Sequence, residues 1–145
     1  MAALTELNNT AHKDLKILPN ATIDFAAKQH VVALMLTEIT KAATCLPLFI
    51  SRSRSNNSFA LSGITSFDVG ENLFVNSERW EGAYFPAKLR TYPLALMQSE
   101  KDEKQFTVGV DESSDAFSTT EGVALFDETG KATDILSQAS SLLSE

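Results

Sequence analysis

Nowhere in this chain do more than six apolar residues run together, the longest aliphatic stretch being Val31–Leu36. A helix that crosses a hydrocarbon layer needs about 20, so no transmembrane segment is expected. Each element must be short and must bury one face against a neighbour, which confines the chain to small strands and helices around a core. The length of 145 residues suits one domain and leaves little room for two independent cores. Residues 1–145 therefore read as a single domain.

The periodicity assigns those elements. Residues 1–12 show no sustained period and read as a loose arm, after which Lys13-Asp14-Leu15-Lys16-Ile17-Leu18 alternates like a half-buried strand until Pro19-Asn20. From Val32 the apolar positions Val32, Leu36, Ile39 and Ala43 share one helical face, and Pro47 ends the run. Leu48–Ser51 and Phe59–Ser62 read as a hairpin with a basic, polar tip at residues 52–58. Leu94–Gln98 and Gln105–Val110 read as a second hairpin, with Phe106, Val108 and Val110 on one face. Pro86 suits a first helical position, and Pro93 stops what begins there, which predicts a short helix over Pro86–Thr91. Thr133 can cap a last helix whose Ile135, Leu136, Ala139, Leu142 and Leu143 form an apolar stripe. The expected fold class is α+β: an antiparallel sheet built from hairpins with two or three packed helices.

Charge narrows the partners. The formal net charge is −7, but residues 98–145 alone carry three basic and eleven acidic groups. A field of that sign repels phosphate backbones, and Arg52 and Arg54 are too few to make a basic stripe, so nucleic acid is not an expected partner. The single cysteine, Cys45, lies in an apolar run and excludes an intramolecular disulfide. The N-terminus lacks the charged and apolar regions of a secretory signal, which points to the cytoplasm.

No catalytic or cofactor motif is legible. The six glycines are scattered singly, with no phosphate cradle. His12 and His30 have only Asp14 and Glu38 as near co-ligands, short of a metal site; His12 reads as an anchor of the strand start, His30 as the entry to a helix. Asp111–Asp115 begins like a calcium loop, but Ala116 stands where the sharp turn wants glycine and Gly122 where a bidentate glutamate is needed. No catalytic residue, metal or cofactor is expected.

What remains is Gly70–Pro93, dense in aromatics, glycine and proline. Trp, Tyr and Arg concentrate at binding hot spots because they join large contact area to polar ends. Asn72, Arg79, Trp80, Tyr84, Arg90 and Tyr92 are thus candidate partner-binding residues for a protein or peptide. The alternative keeps Trp80, Tyr84 and Phe85 as satellite core, with Arg79 or Arg90 paired to Glu71 or Glu81.

An ordered series of stretches carries a resemblance: His12–Ile17, Glu38, Pro47–Ile50, Gly70–Val75, Arg79-Trp80, Tyr84–Ala87, Arg90–Pro93, Val110–Glu112, and Ala124–Asp127 with Gly130. On these the chain resembles the SapC-like family of bacterial proteins, named for a surface-layer locus. Family members typically continue beyond the last helix, so the chain looks like an N-terminal portion or a short member. The resemblance implies association with the surface layer or envelope, with no reaction or cofactor to carry over. The leading expectation is a non-enzymatic, envelope- or surface-layer-associated domain that binds another polypeptide. The alternative is an accessory enzyme or substrate-presenting domain acting on peptides. The acidic tail and apolar helix stripe also leave room for a homo-oligomer.

Overall fold

The computed structural model describes residues 4–18, 23–52, 58–99, 102 and 105–144. In chain order its elements are β1 (Thr5–Glu6), β2 (Lys16–Ile17), β3 (Val31–Leu34), α1 (Ile39–Ala42), β4 (Leu48–Arg52), β5 (Phe59–Ile64) and β6 (Val75–Asn76). Then follow β7 (Arg79–Trp80), α2 (Ala87–Arg90), β8 (Leu94–Gln98), β9 (Phe106–Val110), β10 (Phe117–Ser118), β11 (Val123–Ala124) and α3 (Asp134–Ser144). All strand pairs among the described residues are antiparallel, and with the helices they make an α+β fold. The chain divides into two compact units, Met1–Ala21 with Thr91–Glu145, and Thr22–Arg90.

In the first unit the expected second hairpin forms with Leu94 opposite Val110 and Leu96 opposite Val108. Its tip falls largely on residues outside the described set. Residues 1–12 are not a loose arm throughout: Thr5 and Glu6 pair with Val110 and Gly109, giving a sheet of order β1-β9-β8. Leu94 and Val110 then pack with Leu125, Leu136 and Leu143, so α3 presents its apolar stripe to this sheet. The strand expected over 13–18 shrinks to Lys16–Ile17, the middle of a small sheet between β10 and β11. Gly122 allows this return, since at φ +105° a Cβ there would collide with the Ile17 carbonyl. Before β2, His12 is buried and anchors the turn, its Nδ1 3.1 Å from the Asn8 N–H and its Nε2 2.9 Å from Glu112.

Thr133 stands at the start of α3 but does not cap it with its hydroxyl. Its carbonyl accepts the first helical bond from Ser137, while its Oγ1 donates backward to the carbonyls of Ala124 (2.8 Å) and Leu125 (3.1 Å). Its own N–H is bonded to Leu125 as well. That attachment turns the side chain toward the preceding segment.

In the second unit the first expected hairpin forms as β4–β5, with Ile50 opposite Leu61 and Arg52 opposite Phe59; tip residues 53–57 lie outside the described set. The helix expected from Val32 is corrected. Val31–Leu34 is a strand paired with β5, and only Leu36–Ala42 coils, first as a 3-10 turn and then as α1. Two β-branched valines beside a strand partner favour extended backbone. The face chosen by spacing is also the wrong one: Leu36 is 74% exposed and Ile39 41%, whereas Glu38, Ala42 and Leu46 are buried. Ala42 and Leu46 join Leu34 and Leu61 in one apolar cluster, and Ile23, Ala26, Val32 and Leu89 form another.

The candidate recognition segment

The segment from Gly70 onward has little regular structure, so its backbone groups need partners other than a long ladder. Two buried polar side chains supply several of them. Asn72 donates from Nδ2 to the Ala26 carbonyl at 3.0 Å and accepts from the Phe74 N–H at 3.0 Å. Glu38 does the same for the later half: Oε1 accepts from the Tyr84 hydroxyl (2.8 Å) and the Ala87 N–H (2.7 Å), and Oε2 from the Met35 N–H (2.8 Å). The Ala87 N–H is one of the donors that the start of α2 leaves without an intrahelical acceptor, and Pro86 before it has none to offer. One carboxylate thus ties the end of β3, the hydroxyl of Tyr84 and the first turn of α2. Among the described residues no buried side-chain nitrogen or oxygen lacks a hydrogen-bond partner.

Between these anchors sits an aromatic layer. The Trp80 ring is stacked on Phe74 at 5.2 Å and on Phe85 at 5.5 Å, with interplanar angles of 18° and 29°. Its Nε1 donates to the Tyr84 carbonyl at 2.8 Å. Trp80 delivers its ring there because β6 and β7 form a two-residue hairpin, Asn76 opposite Arg79 and Val75 opposite Trp80. Ser77 and Glu78 bridge it at φ 48° and 64°, the sign pattern of the turn whose twist fits two paired strands. Gly82 completes the layer, since a Cβ on it would stand 2.6 Å from Trp80 Nε1 and 3.0 Å from Phe74.

The six residues singled out from sequence therefore fall into distinct places. Asn72 is buried with both ends of its amide engaged, and Trp80 and Tyr84 are half-buried parts of the layered framework. Arg90 is exposed, with its guanidinium 5.8 Å from the centre of the Tyr84 ring, a cation–π contact. Arg79 is exposed on β7. Tyr92 belongs to the first unit, where its hydroxyl lies 3.3 Å from Asp111. Glu38 is the organising residue, named from sequence as a possible metal co-ligand and among the positions that carry the family resemblance but not as part of the recognition segment. A signal for it exists: Glu38, Ala42 and Leu46 stand four apart, which puts a carboxylate on the stripe that faces inward.

A family model described as SapC matches residues 7–145. The chain belongs to the SapC family. No curated protein and no solved structure matches it. The match takes in residues of both units, including the Glu38 node and the aromatic layer. Burial raises the Tyr84 phenol above its ordinary value, the Glu38 hydrogen bond and negative charge add to that, and Arg90 opposes it. Tyr84 thus keeps its proton for the carboxylate. Among the described residues no group of three or more His, Cys, Asp or Glu could hold a metal ion, and no helix is long and apolar enough to cross a membrane.

Proposed function

We propose that this SapC-family chain is a non-enzymatic, surface-layer- or envelope-associated domain that holds another polypeptide against the outer side of residues 70–90. One observation carries the reading. An irregular segment is fixed from within by Asn72, Glu38 and the Phe74–Trp80–Phe85 layer, while Leu73, Arg79 and Arg90 remain exposed, Leu73 by 67%. A prearranged surface with arginines and an apolar residue binds at a smaller ordering penalty than a loop that must first be immobilised. Membership of the SapC family, whose resemblance implies a surface-layer association, supports that setting.

The test is retention of purified bacterial surface-layer protein on the immobilised chain. Arg79→Ala combined with Arg90→Ala should reduce retention about tenfold or more while thermal unfolding stays where it was. Undiminished retention, or a loss that appears only together with a lowered melting temperature, would remove this segment from the binding surface.

A further inference from the structure

The first unit holds a second surface with its own logic. Strand β9 is covered by β8 along all of Phe106–Val110, but on its other side β1 covers only Gly109 and Val110, with one further bond from the Leu7 N–H to the Val108 carbonyl at 2.9 Å. There the chain leaves: the Asn8 side chain accepts from the N–H groups of Thr10 and Ala11, which turns residues 8–12 away from the strand path. Antiparallel pairing alternates the direction of backbone groups. Since Leu7 bonds Val108 from the β1 side, the N–H and carbonyl of Phe106 are directed to that same side, where no described strand meets them.

A groove of about 570 Å³ opens along this stretch, bordered by Leu7, Phe106, Val108 and Leu96 on the sheet and by Ser137 and Ser140 on α3. No charged side chain is among its lining residues. Phe106 is 64% exposed and Leu96 42%. The groove thus offers an apolar floor on the sheet, hydroxyl groups on the helix and an open strand edge beside them. Those features suit an extended chain, which supplies backbone donors and acceptors to the edge and places every second side chain on the floor. The alternate side chains would face outward. Residues 98–145, which build most of this unit, carry three basic and eleven acidic groups, and their field favours cations there.

We infer that the groove between β9 and α3 accepts an extended polypeptide with alternating apolar and basic residues, added as a strand that continues β1 along Phe106 and Thr107. The groove lies in the first unit, and the 70–90 segment in the second.

The probe is a fluorescently labelled, end-capped peptide alternating Val and Lys, titrated with the full chain and followed by anisotropy. Saturable binding is expected, weakened about tenfold by Phe106→Ala and blocked by Ser140→Trp, a bulky ring placed on the helix wall. Both variants should melt as the unmodified chain does, because Phe106 is largely exposed and Ser140 borders open space. A peptide with Pro at a central position lacks the strand N–H and should not bind, nor should one with Glu in place of Lys. Equal affinity for the Pro or Glu peptide, or no saturation with chain at millimolar concentration, overturns the inference. So does self-association of the free chain that Ser140→Trp abolishes, which would give the groove to a second copy.

Discussion

The Tyr84 hydroxyl donates a 2.8 Å hydrogen bond to Glu38, joining residues 46 positions apart through a carboxylate that is only 3% exposed. That carboxylate also receives the Met35 and Ala87 N–H groups. A buried acceptor shared by three donors is expensive to delete, because each donor is left without a partner in a place that water reaches poorly.

Glu38→Ala should therefore destabilise the chain by about 2–4 kcal/mol. Tyr84→Phe removes one donor and leaves the other two bonded, so a loss of about 1 kcal/mol is expected. Glu38→Gln should fall between them, since its amide keeps one acceptor oxygen but sets an NH2 group against a donor. Urea unfolding of the three variants checks the order. If Glu38→Ala proves no worse than Tyr84→Phe, the carboxylate is not the node described above.

Gly82 tests the aromatic layer from its edge. A methyl group there meets Trp80 Nε1 at 2.6 Å and Phe74 at 3.0 Å, and the Trp80 ring is already held by two stacking neighbours and its Nε1 bond. Gly82→Ala should lower stability by about 1–3 kcal/mol and shift the emission of Trp80, the single tryptophan, as the Nε1 bond to Tyr84 is disturbed. Trp80→Ala should cost about 2–4 kcal/mol, shifted toward the lower end of the range for buried aromatic rings because Trp80 is only half-buried. Emission and stability unchanged in Gly82→Ala would mean the layer is loose.

The particular elements show why parts of this were legible in the sequence. The second hairpin was readable because Phe106, Val108 and Val110 alternate along one face, and the first because two short apolar runs flank a polar tip. The short helix after Pro86 was readable because proline fixes a helical first turn. Val31–Leu34 misled because valine at position 32 fits either a helical face or a strand, and the partner that decides, β5, is remote in sequence. The turn at Ser77-Glu78 carried no signal, since its positive φ values usually announce themselves through Asn-Gly. Glu38 was hidden for a similar reason: a glutamate on an apolar stripe looks like an interruption until its three donors are seen. Of the recognition segment, the aromatic and arginine content was visible beforehand, but which residues frame it and which face outward depends on long-range packing.

Alkaline titration should report the two tyrosines. Tyr84 and Tyr92 are both held above the ordinary 10.0. For Tyr84 burial is the largest cause, followed by Glu38; for Tyr92 burial again leads, with Ser114 opposing and Asp111 adding. A folded state that keeps a phenol proton to higher pH than the unfolded chain binds more protons above the unfolded value, so stability falls with rising pH there. The contribution is complete below the unfolded value and is lost through the folded one. The phenolate absorbance of the native chain should therefore rise at higher pH than that of the chain in denaturant, and Tyr84→Phe with Tyr92→Phe should flatten the alkaline loss of stability. Coincident titration curves in the two states would contradict this.

The β6–β7 turn offers a gain instead of a loss. Ser77 and Glu78 both sit at positive φ, a region that L side chains occupy at a penalty of the order of 1 kcal/mol each. Asn tolerates the first of these positions and Gly the second, which is why that pair dominates two-residue hairpins. Ser77→Asn with Glu78→Gly should stabilise the chain by about 1 kcal/mol, the relief of strain exceeding the added freedom of glycine in the unfolded state. Glu78→Val, β-branched at the same φ, should destabilise by at least as much. Denaturant midpoints of the two variants should move in opposite directions from that of the unmodified chain. Movement in the same direction would mean that the turn delivering Trp80 to its stack does not have this geometry.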